Sequence, residues 1–383
     1  MYTPPFSPPN TSSPRIPMLD VARFYGIVLV YYGHVVERMM YLGAPGAALQ
    51  YKFIYSFHMP LFFVLSGFIA AEGWRALGPG AFAKSRLASR VLPYLVFNLL
   101  LILISLVHRP DFPPFPLDSL KAYEIAGIST LIDLPFFNVP TWFLMCLISV
   151  EVAHYLLFRF LYRSDLAILA AAVGLIAFGS WLNGAHDFFT PTRFAKWNWW
   201  FLNLVPTGYG FYLLGVLGRR RGFLMGRVAP STLLQGALVA ILFVALTFNL
   251  NMGPFKLKIP AVVFVAGGFG HWFWFPATAI VGSAGLLLMA RLSPPWGWMT
   301  FMGRNALILF CLNGVVYHHV NGPVAAWTVA TFGPGTPGVT AVAALTTAAS
   351  LALAVPVVRA LNRWVPQLVG RPREKGPLLP NLL

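Results

Sequence analysis

The sequence predicts an all-α, polytopic integral membrane protein with about ten transmembrane helices. Hydrophobic residues make up 58% of the 383 residues and charged residues only 10%, and the mean hydropathy is +0.70. A water-soluble domain of this size needs more charge on its surface, so lipid is the expected solvent. The apolar residues come in runs of roughly 20, the length of a membrane-crossing helix. A β-barrel would alternate apolar and polar positions instead, so helices are the expected spanning elements.

Apolar segments of bilayer-crossing length define the predicted spans. The eighth is too long for one simple crossing, and its Gly267–Gly270 stretch either breaks it or marks a re-entrant segment. The longest connection, 109–138, is rich in proline and is predicted to be a loop. The predicted spans cover residues 18–40, 52–72, 88–108, 139–160, 166–184, 197–217, 231–250, 261–290, 300–321 and 337–358.

The domain organisation follows from these spans. Residues 1–17 are rich in proline and serine and are predicted to be a disordered cytosolic tail. Residues 18–360 form one membrane domain without an internal repeat, and residues 361–383 form a basic cytosolic tail. The lack of a fused soluble domain predicts that the protein acts alone or with a separate extracytoplasmic partner.

Charge sets the expected orientation and excludes one class of partner. The formal net charge is +16, but the basic residues lie between apolar runs, which favours lipid head groups over nucleic acid as their partners. The even-numbered connections and the C-terminal tail carry sixteen basic residues, against eight on the opposite side. By the positive-inside rule, both termini are cytosolic and the protein is a multi-pass protein of the plasma (inner) membrane.

The first span carries the most informative polar residues. Asp20 and Arg23 are three residues apart and share a helix face. His34 lies eleven residues after Arg23, about three turns plus 20°, so both side chains point the same way with a rise of ~16 Å between them. Charged groups inside spans usually mark function. Either His34 is a general base for a hydroxyl, or it is a buried histidine that bonds to a neighbouring helix.

Metal and thiol chemistry is not indicated. The histidines are scattered, and the adjacent pair His318 and His319 has the wrong spacing for two ligands on one helix face. No metal site is therefore predicted. Cys146 and Cys311 both lie in apolar stretches and are predicted to be packing residues.

Several short motifs, in order and at consistent spacing, resemble the acyltransferase-3 family of membrane O-acyltransferases. Arg23, ten intervening residues and His34 are similar to the opening of that family. Phe57–Pro60 (FHMP), within the second predicted span, is similar to the sugar O-acetylase, or fucose 4-O-acetylase-like, branch of the family. The resemblance runs from about residue 18 to 320, and its other motifs are Phe62–Phe68 (FFVLSGF), the basic helix start with Arg86, Arg90 and Pro93, Thr141–Leu144 (TWFL), and Gly303–Asn305 followed by Asn313.

Two departures from the family pattern affect the expected site. Leu87 stands where the first arginine of the family's basic motif is expected, with Arg86 one position earlier. Asn313 replaces a late histidine of many members. These departures leave open a degenerate member that acts only as a sensor or scaffold.

The resemblance implies an acyl-CoA co-substrate on the cytosolic side. Acetyl is the favoured acyl group, with succinyl as the alternative. Arg86, Arg90 and Arg23 are the implied contacts to CoA, since guanidinium groups at a helix start suit phosphates. For each arginine the alternative is ordinary membrane anchoring, or for Arg23 an ion pair with Asp20.

The resemblance also implies an acceptor hydroxyl on a cell-envelope glycan or lipid-linked sugar. Predicted substrate-binding residues are His58, Trp142, Glu151 and Asn313. His58 either binds acceptor hydroxyls or makes a helix-end hydrogen bond, and Trp142 either stacks on a sugar or joins the aromatic belt. A carboxylate within a span needs a partner, so Glu151 is expected to orient a base or to bind Arg23.

Two chemical routes and one rival function remain open at this point. In direct transfer, the predicted catalytic set is His34, Arg23 and Asp20, with His34 as base and Arg23 or an asparagine amide supporting the oxyanion. An acyl-enzyme would need a nucleophile such as Ser66, whose alternative role is close helix packing. The rival function is a transporter or flippase for a lipid-linked saccharide, which ten spans and an interrupted helix would also suit.

Overall fold

The fold is a bundle of helices. The computed structural model describes residues 16–70, 77–108, 117–188 and 198–383, so most of the predicted N-terminal tail, residues 1–15, lies outside the described residues. Within these ranges the helices are α1 (Pro17–Tyr41), α2 (Pro45–Tyr55), α3 (His58–Ile69), α4 (Pro79–Arg86), α5 (Leu92–Val107), α6 (Leu120–Ile132), α7 (Trp142–Leu161), α8 (Asp165–Ala185), α9 (Val205–Arg220), α10 (Pro230–Thr247), α11 (Trp274–Leu292), α12 (Gly297–Arg304), α13 (Ala306–His319), α14 (Asn321–Phe332) and α15 (Thr336–Trp364).

The prediction of an all-α polytopic protein is confirmed. Among the described residues, nine helical stretches are long and apolar enough to cross a membrane, and the pair α12 and α13 makes a tenth if it counts as one span. That pair is bent by 78°, where Asn305 separates the two helices. The part of the chain that the structure describes has no β-strand beyond an isolated bridge between Val263 and Gly268.

Helix α6 corrects part of the predicted loop at 109–138. Residues 120–132 are helical because Ser119 caps the helix, its hydroxyl accepting the backbone N–H of Ala122 at 3.2 Å. Apolar residues of α6 pack with Leu101 and Phe137. Residues 109–116 of this connection lie outside the described residues.

Of the two alternatives for the segment 261–290, the structure shows the break at Gly267–Gly270, and only the part from Trp274 onward is an α-helix. The chain is irregular up to α11, with a short 3₁₀ turn at Phe264–Ala266 and positive φ at Gly267 (67°) and Gly270 (77°). Asn251 holds this segment, because its amide donates to the carbonyl of Phe269 at 3.0 Å and accepts the N–H of His271 at 2.7 Å. A Cβ on Gly270 would lie 2.1 Å from the Asn251 oxygen, so the glycines break the helix here.

Helix α1 runs through the centre of the bundle, against α2, α11, α12, α14 and α15. A second close contact joins α3 and α9, where a Cβ on Gly67 would lie 1.9 Å from the Tyr212 carbonyl oxygen and one on Gly215 would lie 2.0 Å from that of Val64. Small residues let two backbones approach this closely inside a membrane. The contact fixes α9 against α3, and α3 in turn packs on α1, where the candidate site lies.

Candidate functional site

A cavity of about 750 Å³ opens at the end of the bundle where α1 begins. Arg23 and Ile27 of α1 line one side, and α3, α7 and α13 supply most of the remaining walls. Six arginines and one carboxylate line it: Arg23, Arg86, Arg90, Arg304, Arg371, Arg373 and Glu151. The cavity is therefore suited to a polyanionic ligand with an apolar portion.

Glu151 gathers two of these arginines. Its Oε1 atom lies 3.1 Å from Arg86 and 3.5 Å from Arg90. Arg23, which was expected as a partner of Glu151, forms an ion pair with Asp20 instead.

Arg86 ends α4, and Arg90 lies in the single turn of π-helix, Leu87–Val91, that joins α4 to α5. This turn brings the two arginines to the same carboxylate. A π-helical turn accommodates an extra residue, which gives the displaced Arg86 a structural explanation.

Asp20 gathers two more arginines at the start of α1. It is 2% exposed and lies 3.2 Å from Arg23 and 3.6 Å from Arg304. Gly303 packs against the Asp20 backbone, where a Cβ would lie 1.8 Å from its carbonyl oxygen. Asp20 thus orients cations at the cavity, ~21 Å along the helix from His34 at 1.5 Å per residue.

His34 lies deeper, where it bonds to Asn313. The His34 Nδ1 and Asn313 Oδ1 atoms are 2.5 Å apart. An amide oxygen only accepts hydrogen bonds, so Nδ1 carries the proton and Nε2 of the neutral ring keeps its lone pair. Asn313 is 0% exposed, and its Nδ2 has no hydrogen-bond partner among the described residues. The pair therefore combines Nε2 of His34, a proton acceptor, with Nδ2 of Asn313, an N–H donor without a partner among the described residues.

A layer of three phenylalanines separates the cavity from His34. Phe62, Phe143 and Phe310 all line the cavity, and their ring centroids lie 5.7 to 6.3 Å apart. Helices α1 and α13 both leave the cavity in the same direction, and His34 and Asn313 follow beyond this layer. Phe62 packs against Gly26, which lies between Arg23 and His34 on α1, so these rings lie between the cavity arginines and the imidazole along that helix.

Beyond His34 on α1 lies a buried carboxylate, Glu37, which was not among the residues predicted from the sequence. Glu37 is 8% exposed and accepts hydrogen bonds from Tyr41 at 2.9 Å and Tyr55 at 3.2 Å. The ring of Tyr317 lies 4.9 Å from that of His34 and 4.6 Å from the Arg38 guanidinium. A signal was present, because Glu37 follows His34 by three residues and shares its helix face.

The other predicted substrate residues are placed as follows. The ring Nδ1–H of His58 donates to the carbonyl of Ile54 at 3.0 Å, which is the helix-end hydrogen bond. Trp142 is buried and stacks on Phe264, so it does not belong to a lipid-facing aromatic belt. The Ser66 hydroxyl donates to the carbonyl of Phe62 at 2.7 Å, as serines packed within helices do.

The described residues contain no group of three or more histidine, cysteine or acidic side chains that could hold a metal ion. His319 instead approaches His108, with their Nδ1 atoms 2.9 Å apart. Cys146 and Cys311 are both buried free thiols.

Residues 16–355 match the acyltransferase-3 family model, which is described as an acyltransferase domain. The match includes the motifs around Arg23, His34, Arg86 and Asn313 and ends within α15. A search of curated proteins and a search of solved structures each found no match. Because the match spans the helices that carry both the arginine-lined cavity and His34, the chain belongs to the acyltransferase-3 family and is a membrane acyltransferase.

Proposed function

We propose that the protein transfers an acyl group, most simply acetyl, from acyl-CoA to a hydroxyl group of a cell-envelope glycan or lipid-linked sugar. The observation that supports this most strongly is the relation between the cavity and His34. An arginine-lined cavity lies at one end of α1, and a histidine whose Nδ1 bonds to Asn313 lies beyond it on the same helix. Family membership favours this enzyme over a saccharide transporter.

The donor occupies the cavity with its phosphates at the arginines. Guanidinium groups form charge-assisted hydrogen bonds to phosphate oxygens. The pantetheine arm then extends along α1 toward His34, over a helix rise of ~16 Å from Arg23. In the proposed orientation, this cavity opens to the cytosol of a plasma (inner) membrane, in agreement with the positive-inside distribution.

The acceptor approaches from the opposite end, past Glu37 and its tyrosines. Tyrosine rings and hydroxyls, together with a carboxylate, suit the apolar faces and hydroxyls of a sugar. The FHMP segment at Phe57–Pro60, similar to sugar O-acetylases, further supports a sugar acceptor. His58 in this segment then acts through its bond to Ile54 rather than by direct contact.

The proposed chemistry is direct transfer. Nε2 of His34 takes the proton of the acceptor hydroxyl while its oxygen forms a bond to the thioester carbonyl carbon. The carbonyl π electrons move to its oxygen, which Nδ2 of Asn313 stabilises. The carbon–sulfur bond then breaks, and the imidazolium returns the proton to the departing thiolate of CoA. Arg23 is too far from His34 to serve this oxyanion.

The test measures release of free thiol from acetyl-CoA by purified protein, with and without mixed envelope glycans. We expect the wild type to release thiol in a glycan-dependent manner and His34→Ala to be at least about 100-fold slower, since a general base contributes this much. His186→Ala removes an exposed histidine at the end of α8 and serves as the matched control with wild-type activity.

Each other result has a definite meaning. Equal rates for His34→Ala and the wild type would refute the proposed role of His34. Glycan-independent release with acylated Ser66, detected by mass spectrometry, would replace direct transfer by the acyl-enzyme route. Absence of both thiol release and CoA binding in the wild type would refute acyl-CoA as donor. Transfer that requires an added extracytoplasmic protein would establish a separate partner enzyme.

A further inference from the structure

The residues after α15 fold back onto the bundle. Helix α15 ends at Trp364 and is followed by a 3₁₀ turn, Pro366–Val369. This turn packs against α5 and the π-helical turn that holds Arg90. The sequence had suggested only a basic tail from residue 361.

Gln367 anchors the segment. Its side chain is 0% exposed, and its amide donates to the carbonyl oxygens of Glu374 at 2.9 Å and Leu379 at 2.7 Å. Val369 is also buried. These contacts hold the chain after α15 in a defined position, in contrast to a solvated tail.

The anchored segment forms one wall of the cavity. Val369, Gly370, Arg371 and Arg373 all line it. Arg371 donates to Asn305 Oδ1 at 2.8 Å and lies 3.1 Å from the exposed Glu374 carboxylate. Because Asn305 stands at the bend between α12 and α13, the Arg371 contact ties the segment to the helix that carries Asn313.

Arg373 differs from the other cavity arginines. Four of them share the two buried carboxylates Asp20 and Glu151, whereas Arg373 makes no ion pair with any residue that the structure describes. The six arginines and the three carboxylates Asp20, Glu151 and Glu374 leave a surplus of three positive charges. Such a surplus favours a polyanionic ligand.

We propose that the segment 365–373 is part of the donor site and that Arg371 and Arg373 bind the phosphate groups of acyl-CoA. The proposal rests on the proposed function for its donor. The family match ends at residue 355, so this wall of the cavity comes from a part of the chain outside the matched domain. An anionic lipid head group offers the same phosphate chemistry and is the competing ligand.

The experiment compares acetyl-CoA with acetyl-pantetheine, which keeps the thioester but lacks the phosphates. The full-length protein is reconstituted in phosphatidylcholine vesicles, and KM and kcat are measured for both donors. The variants are Arg371→Gln/Arg373→Gln and Arg373→Gln alone. Arg359→Gln/Arg363→Gln is the control, because it removes the same charge from α15 at residues that do not line the cavity.

We expect the double variant to raise KM for acetyl-CoA at least about 10-fold, which corresponds to a loss of about 1.4 kcal/mol of donor binding. Its kcat and its KM for acetyl-pantetheine stay at wild-type values. Arg373→Gln shows a smaller rise in the KM for acetyl-CoA and leaves the Asn305 contact intact. The control variant matches the wild type with both donors.

Three results would overturn the proposal. An unchanged KM for acetyl-CoA shows that the segment does not bind the donor, and equal losses with both donors show a structural role. A difference between variant and wild type that appears only when phosphatidylglycerol is added identifies lipid head groups as the ligand. A wild type that binds neither CoA nor acetyl-CoA refutes the proposed donor itself, which is distinguishable from these three results.

Discussion

The side chain of Asn313 has two roles in the proposed reaction: it orients the His34 ring, and it donates a hydrogen bond to the oxyanion. Its oxygen accepts the Nδ1 proton of His34, and its nitrogen has no partner among the described residues. A buried N–H donor without a partner costs free energy, so such groups in native proteins are few and each needs an explanation. In the proposed mechanism the thioester oxygen becomes that partner as it gains charge, so the amide stabilises the transition state.

Asn313→Asp separates the two roles of this amide. Aspartate still accepts the Nδ1 proton of His34, but it offers no N–H donor and places a negative charge beside the oxyanion. We therefore expect kcat for transfer from acetyl-CoA to fall about 100-fold or more, the usual effect of removing one oxyanion donor. Steady-state thiol release at saturating donor measures this.

Asn313→Ala provides the comparison, because it removes both the acceptor and the donor. If Asn313 only orients His34, the aspartate variant retains near-wild-type activity while the alanine variant loses it, and the oxyanion role is then wrong. Donor KM stays near the wild-type value in both variants, since Asn313 does not line the cavity.

At the scale of elements, the cavity wall depends on the contact between α3 and α9. Helix α3 presents Phe62 and Ser66 to the cavity, and α9 presents Tyr212. Gly67 sits at the closest point, with backbone rather than a flexible side chain facing the position where a Cβ would be. Added volume here cannot be absorbed by a change of rotamer, so one helix must move.

Gly67→Ala is therefore expected to destabilise the protein by about 1–3 kcal/mol. Gly174→Ala is the matched control, because Gly174 lies within α8 with no neighbouring atom in reach of a Cβ, where alanine is the better helix former. Thermal unfolding in one detergent measures both variants. A lower Tm for Gly67→Ala than for Gly174→Ala is expected, and equal Tm values would show that the two helices can separate at no cost.

Sequence patterns predicted the elements that depend only on local hydrophobicity and helical periodicity. Apolar runs located most spans, and helical spacing placed Asp20, Arg23 and His34 on one face of α1. The remaining elements depend on contacts made after folding. The glycines before α11 indicated a break or a re-entrant segment, and the bonds to Asn251 accompany the break. The bend between α12 and α13 involves Asn305 bonded to Asn362 and Arg371. Partners so distant in sequence are invisible to local periodicity.

The same limit applies to the site. Glu37 was within reach of the sequence pattern, since it lies one turn beyond His34. The pairing of Asn313 with His34 and of Glu151 with Arg86 joins residues 279 and 65 positions apart. The contribution of the segment after α15 was likewise unpredictable, because composition alone describes it as a solvated basic tail.

At the scale of the whole molecule, the two ends of the bundle differ in chemistry. One end gathers six arginines around the cavity, and the other gathers Glu37 with its tyrosines. His34 lies between them, behind the phenylalanine layer. Such an arrangement suits a donor and an acceptor that enter from opposite sides of the membrane, with a water-poor layer that protects the thioester from hydrolysis.

This division predicts the orientation, and single cysteines can test it. The native thiols Cys146 and Cys311 are buried, so the wild-type chain provides a background of low reactivity. Lys375 and Lys258 are both exposed, near the segment that lines the cavity and in the irregular region before α11, respectively. If the arginine-lined end faces the cytosol, a membrane-impermeant maleimide labels Lys258→Cys in intact cells, whereas Lys375→Cys reacts only after permeabilisation. The reverse pattern would place the cavity outside the cell, where acyl-CoA is not supplied, and would refute the proposed donor route.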